Sequence, residues 1–204
     1  GLYICMIKNP NPVAKNVTPQ LSDAAFIREK VPMTKEEIRH VSICKLHLKS
    51  DSVLYDVGSG TGSIAVEAAS LSDDMEVYAI EQKENAVQLI TQNKEKHGLE
   101  NIHVITAKAP DGMDTLPVPT HAFIGGSGGN LKEIIEALKA KNPHIRIVIN
   151  AISMETICEI KEILSAYDVK NEDIVQLQVS RSKQIGHYHL MQAENPVWIC
   201  SFEF

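Results

Sequence analysis

Between residues 52 and 166 short apolar runs alternate with amphipathic stretches, and few folds accommodate that order. SVLYDV (52–57), EVYAIE (76–81), NIHVITA (101–107), HAFIGG (121–126) and HIRIVINA (144–151) have the length and residue types of strands. The segments between them read as helices over about Thr61 to Leu71, Asn85 to His97 and Leu131 to Ala140, and a fourth follows over Met154 to Ala166. Strands with so few polar residues need cover on both faces, which predicts a doubly wound α/β sandwich around a parallel sheet. Upstream, Thr34 opens TKEEIRHVSICKL, a further helix with Thr34 and Glu37 at capping-box spacing and Ile38, Val41 and Leu46 on one face. Downstream, DIVQLQVSRS (173–182) and PVWICSFEF (196–204) have no helix between them. They are expected to pair at the sheet edge, giving a mostly parallel seven-stranded sheet with an antiparallel C-terminal strand.

At 204 residues the chain suits one domain and a short appendage. The first eight residues read as a strand and NPNPVAKNVTPQ, with three prolines, as a linker. Residues 21–204 are therefore expected to form the domain itself, with residues 1–20 ahead of it as linker. A net charge of −6 argues against a general nucleic-acid binder. Four distant cysteines without a CxxC pair imply a reduced, cytoplasmic protein, and no apolar run is long enough to span a bilayer.

Chemistry is concentrated at two glycine loops. In LYDVGSGTGS (54–63), Gly58, Gly60 and Gly62 alternate directly behind a strand, where ligands of open parallel sheets collect. A dinucleotide fingerprint wants its third glycine at position 63, which is Ser63. The spacing Asp56-x-Gly58-x-Gly60-x-Gly62 instead resembles the first motif of class I methyltransferases that use S-adenosylmethionine. There the turn packs against the amino-acid and ribose portions, and Asp56 would act near the ammonium group, directly or through water. Glu81, at the end of the next strand, is placed to accept from both ribose hydroxyls, beside Gln82. The second loop, IGGSGGNLKEI (124–134), precedes a helix with Asn130 at its cap and Glu133 as capping partner. It lacks the Asp/Asn-Pro-Pro-Tyr type segment that holds nitrogen nucleophiles, and its free N–H groups suit an anionic substrate.

Taken together, FIREKVPMTKEEIR (26–39), DVGSGTGSIAVEAA (56–69), VYAIEQ (77–82), HGLENIHVITAKAP (97–110), GGSGGNLKEI (125–134), NAISMET (150–156) and NPV (195–197) resemble the decarboxylating precorrin methyltransferases of cobalamin synthesis. The resemblance implies that Thr34, Gly58, Ser59, Gly60, Thr61, Gly62, Glu81 and Ala109 contact S-adenosylmethionine. Ser59 stands where relatives often have Cys, and Glu81 where they often have Asp. It further implies a tetrapyrrole substrate, methylation at carbon 15, loss of the ring-C acetate and a homotetramer; as the relatives it resembles are either free-standing or fused behind a carbon-5 methyltransferase, residues 1–20 are expected to be the tail of such an upstream domain.

Substrate carboxylates would be held by Arg181, Lys183, His187 and His189 and by the N–H groups of Gly126, Ser127, Gly128 and Gly129. The same SRSKQIGHYHL stretch also reads as an ordinary charged hairpin. Glu155 is a candidate proton-transfer group, with Arg181 beside it as a catalytic candidate, or else a first-turn acid of its helix. His-x-His finds no third ligand, so no metal is expected. A class I methyltransferase for RNA or protein, or a silent nucleotide-binding subunit, remains as an alternative reading.

Overall fold

The computed structural model describes residues 18–204; the strand expected at residues 1–8 and most of the linker behind it lie outside them. In chain order the elements are α1 (Glu36–Leu46), β1 (Val53–Val57), α2 (Ser63–Ala69), β2 (Glu76–Glu81), α3 (Glu84–Lys96), β3 (Ile102–Thr106), β4 (His121–Ile124), α4 (Leu131–Lys141) and β5 (Arg146–Ala151). They continue with α5 (Met154–Ala166), β6 (Lys170–Leu177), β7 (Ser180–Ile185), β8 (Tyr188–Ala193) and β9 (Val197–Glu203). Seven strands form one sheet in the order β3-β2-β1-β4-β5-β9-β6, in which β9 runs opposite to the other six. This is the architecture expected from the alternation of strands and helices.

Side chains alternate across the strands, so the sheet has two apolar faces. Leu54, Val77, Ala79, Phe123 and Val148 pack against Ile38, Ile43 and Leu46 of α1, Ile64 of α2 and Ile90 of α3. Tyr55, Val57, Ile80, Ile124, Ile147 and Ile149 face Leu131, Ile134 and Leu138 of α4 and Ile160 and Ile163 of α5. Each fully buried aliphatic side chain contributes about 1.5–3 kcal/mol, so both helical layers are held mainly by the sheet.

Three local expectations are corrected. The run 173–182 is not one strand: β6 ends at Leu177, and β7 and β8 form a separate antiparallel ribbon before β9 returns to the sheet. From Ser180 every residue of β7 is exposed, so nothing holds it on the sheet. Thr34 does not cap α1; Lys35 stands at the cap without a side-chain bond, and the Thr34 carbonyl accepts from Arg39 Nη1 at 2.8 Å. Nor does Asn130 form a capping box with Glu133, because its Nδ2 donates to the Ala109 carbonyl at 3.1 Å.

A buried ion pair unread in the sequence ties the segment before α1 to the sandwich. Arg39 and Glu67 are 0% and 1% exposed, with Nε and Oε2 2.8 Å apart. Glu67 Oε1 also accepts from the backbone N–H groups of Gln20 and Leu21, while Arg39 reaches Asp23 and lies over the Phe26 ring. Asn93 adds a second clasp, with Nδ2 donating to the carbonyls of Ile27 and Thr61. Both charges are fully satisfied, and removing one strands the other in the core. Glu67→Ala should lower unfolding free energy by about 3–5 kcal/mol in urea titration. A loss below about 1 kcal/mol would reduce the pair to a surface-grade contact.

Candidate active site

The chain leaves β1 toward β2 and β3, then returns to β4 and β5 on the other side, so a crevice opens at the carboxyl ends of β1 and β4. A cavity of about 790 Å³ occupies it. Its walls are residues 58–60, 81–83, 107–109 and 125–128, each following a strand, with Asn150, Ile152 and residues 30–35 of the fastened segment. The volume falls in the roughly 300–1,000 Å³ range of small-molecule sites.

The alternate glycines are required by the protein's own backbone rather than by a ligand pressing on each of them. Gly58, at φ +69°, has Gly126 where a side chain would go: a Cβ would stand 2.8 Å from its nitrogen, 2.9 Å from its Cα and closer still to its oxygen. At Gly60 the Pro32 carbonyl occupies that place, and at Gly62 Ile90 of α3. A Cβ on Gly126, by contrast, would meet nothing within 4 Å. The two loops thus meet backbone to backbone while the second presents a bare surface to the cavity.

Glu81 organises the first loop. Its Oε2 accepts from the Gly60 N–H at 3.0 Å, and Oε1 accepts from the N–H groups of Gln82 and Lys83, both at 2.9 Å. The carboxylate is 8% exposed and lines the cavity, with lone-pair capacity left chiefly on Oε2. Three charge-assisted bonds fix both the loop and the acid.

Of the cofactor residues read from the sequence, Thr34, Gly58, Ser59, Gly60, Glu81, Gln82 and Ala109 line the cavity, and Asp56, Thr61 and Gly62 do not. Asp56 is a brace instead. It is fully buried, and its Oδ2 accepts from Ser59 Oγ at 2.6 Å and the Ala65 N–H at 3.2 Å, joining the loop to α2. Oδ1 has no partner, and burial pushes the carboxyl up to about 7, with Glu81 adding to the rise. Thr61 is equally buried; its carbonyl accepts from Asn93 Nδ2, and its hydroxyl has no hydrogen-bond partner among the described residues.

The substrate-side reading divides similarly. Gly126, Ser127 and Gly128 line the cavity; Gly129 does not. Arg181 stands outside it on β7, its guanidinium paired with Glu37 and, at 3.3 Å, with Glu194. Lys183, His187 and His189 lie exposed on the same ribbon, and Glu155 is exposed on the first turn of α5. The cations that do line the cavity are Lys30, Lys35, Lys83 and Lys108. Of these only Lys35 has an ion pair among the described residues, with Asp23 at 3.6 Å. Asn150 also faces the cavity, its Nδ2 donating to buried Ser42 Oγ at 3.0 Å. Position announces Lys108 and Asn150, since the first follows β3 and the second stands near the end of β5, both at the crevice.

Between the ordinary Asp value of 3.8 and about 7, folded Asp56 holds a proton that the unfolded chain has released. Its contribution to stability therefore falls as pH rises through that window, and is constant outside it. Asp56→Asn should gain stability relative to the parent protein as pH goes from about 4 to about 7, measured by urea unfolding. A pH-independent difference would contradict this assignment.

Comparisons with known proteins bear on the family and the fold. A family model described as a precorrin methyltransferase domain matches residues 24–203. A probable cobalt-precorrin-6B C(15)-methyltransferase (decarboxylating) of Pyrobaculum calidifontis is 38% identical over 89% of this chain and 94% of its own length. The crystal structure of a precorrin-6Y C5,15-methyltransferase from Geobacter metallireducens superposes with TM-score 0.86 at 32% identity, covering 94% of this chain and 100% of that one. A precorrin 8W decarboxylase from Methanobacterium thermoautotrophicum gives 0.82 at 32% identity, over 89% and 98%. With the topology, the glycine loops and the family match in agreement, the chain is a methyltransferase and belongs to the precorrin methyltransferase family.

Proposed function

We propose that this protein methylates carbon 15 of cobalt-precorrin-6B or its metal-free counterpart and decarboxylates the ring-C acetate, with S-adenosylmethionine as methyl donor. The observation that carries the proposal is the cavity wall. One side is a glycine loop fixed by a cavity-facing carboxylate; around it stand four lysines, in a chain of net charge −6. That distribution favours a small nucleoside and a polyanion in one crevice.

The residues present fit the donor. Glu81 Oε2 is available to ribose hydroxyls, residues 58–60 offer backbone without side chains, and Thr34 and Ala109 close the wall. S-adenosylmethionine supplies a methyl group on a sulfonium centre, displaced in line by an electron-rich ring carbon. The protein's part is alignment and exclusion of water, worth up to roughly 7–11 kcal/mol for well-oriented partners. Lys108, whose Cε stands 3.7 Å from where a Gly128 Cβ would be, is placed to take a peripheral carboxylate beside the second loop.

We also propose that the protein works as a homo-oligomer, a tetramer by resemblance to its family, and that it cooperates with a carbon-5 methyltransferase, fused or separate. The β7–β8 ribbon supports association, because Ile185, Tyr188, Leu190 and Met191 on it are 54–75% exposed. An isolated two-stranded ribbon is marginal in water, so it gains from a partner.

The deciding assay is incubation with cobalt-bound and cobalt-free precursor plus S-adenosylmethionine, read by mass for one methyl gained and one carbon dioxide lost. No mass change with either precursor would defeat the reading. In calorimetry, Glu81→Ala should weaken S-adenosylmethionine binding by about 1.5–3 kcal/mol, the scale of a charged hydrogen bond. Unchanged affinity would remove Glu81 from the cofactor site.

A further inference from the structure

A smaller cavity of about 100 Å³ adjoins the main one and shares residues 125–127, Asn150 and Ile152 with it. Beyond the shared wall it is bounded by Ile124, Leu131, Ile149, Ala151 and Thr156. At about 30 Å³ per water it holds roughly three waters, or one short acid side arm.

Its chemistry is unlike that of the main cavity. Among the described residues no ionisable side chain lines it, whereas the main cavity has four lysines and two carboxylates, Glu81 and Glu194. Ile124, Leu131, Ile149 and Ala151 are at most 2% exposed and belong to the core on the α4–α5 face. The Thr156 hydroxyl is already bonded to Ser153 Oγ at 3.0 Å, and the Asn150 amide at the junction is held by Ser42. An acid arm entering here meets apolar walls and neutral polar groups but no cation.

We infer that this annex is the decarboxylation subsite: it receives the acetate arm that is lost, while the lysines of the main cavity hold the carboxylates that are kept. The inference rests on the proposed function and deepens it. A carboxylate paired with lysine is stabilised as an anion, which holds back loss of carbon dioxide. Held by neutral donors of the second loop and without a counter-charge, the same group lies higher in energy than beside a lysine, and that cost is relieved as its charge disperses in the transition state. The bond between the side-arm carbon and the carboxyl carbon breaks, and its electron pair passes into the conjugated macrocycle. Carbon dioxide leaves, and the side-arm carbon takes one proton from water to become a methyl group.

The test uses the full chain, cobalt-precorrin-6B and S-adenosylmethionine, with both mass changes followed in time. Thr156→Arg places a cation in the annex, and Ala151→Leu fills it; thermal unfolding and cofactor calorimetry establish that each variant folds and binds. Carbon dioxide loss should fall at least about tenfold while methyl gain falls less than about threefold, so that a methylated product retaining its acetate accumulates. Wild-type carbon dioxide loss in both folded variants, or equal decline of the two reactions, would overturn the assignment. If the unaltered protein changes the mass of neither precursor, the functional reading itself has failed.

Discussion

Contact between two bare stretches of backbone sets the geometry of the whole site. Gly58 follows β1, Gly126 follows β4, and a side chain at Gly58 would occupy the place of Gly126. Because β1 and β4 are neighbours at the point where strand order reverses, their exits converge, and only glycine lets them do so without being pushed apart. The Gly60 N–H then reaches Glu81, and the Pro32 carbonyl closes over the loop. The cavity exists between these approaches.

Electrostatics divides the molecule by function. Arg39 and Glu67 are buried and mutually satisfied, and they hold the segment that forms one cavity wall. Among the described residues, three of the four cavity lysines, Lys30, Lys83 and Lys108, have no ion pair and can serve a ligand. Beside them the annex, which no ionisable side chain among the described residues lines, offers no such counter-charge. A substrate with several carboxylates would thus meet two environments in one crevice, one that keeps an acid and one that favours its loss.

Much of this was legible in the residues. The 3.6-residue and 2-residue periodicities reflect burial and translate directly into helices and strands, and the glycine spacing singled out the switch point. Roles requiring three-dimensional neighbours were less readable. Asp56 has the type and place of a ligand contact, yet its side chain turns toward α2 and becomes a brace. Gly62 looks like part of the ligand cradle but makes room for Ile90. Arg181 and Lys183 have suitable charge on a ribbon that diverges from the sheet once its residues lose any buried face. The Arg39–Glu67 pair is separated by 28 positions, and nothing local marks either residue as buried.

The most direct test of the central claim is a crystal structure with S-adenosylhomocysteine bound. The account predicts the ribose hydroxyls within hydrogen-bonding distance of Glu81, and the sulfur in the cavity between the loops of Gly58 and Gly126. Adenosine bound outside that crevice, or a Glu81 carboxylate turned away from the ribose, would contradict it.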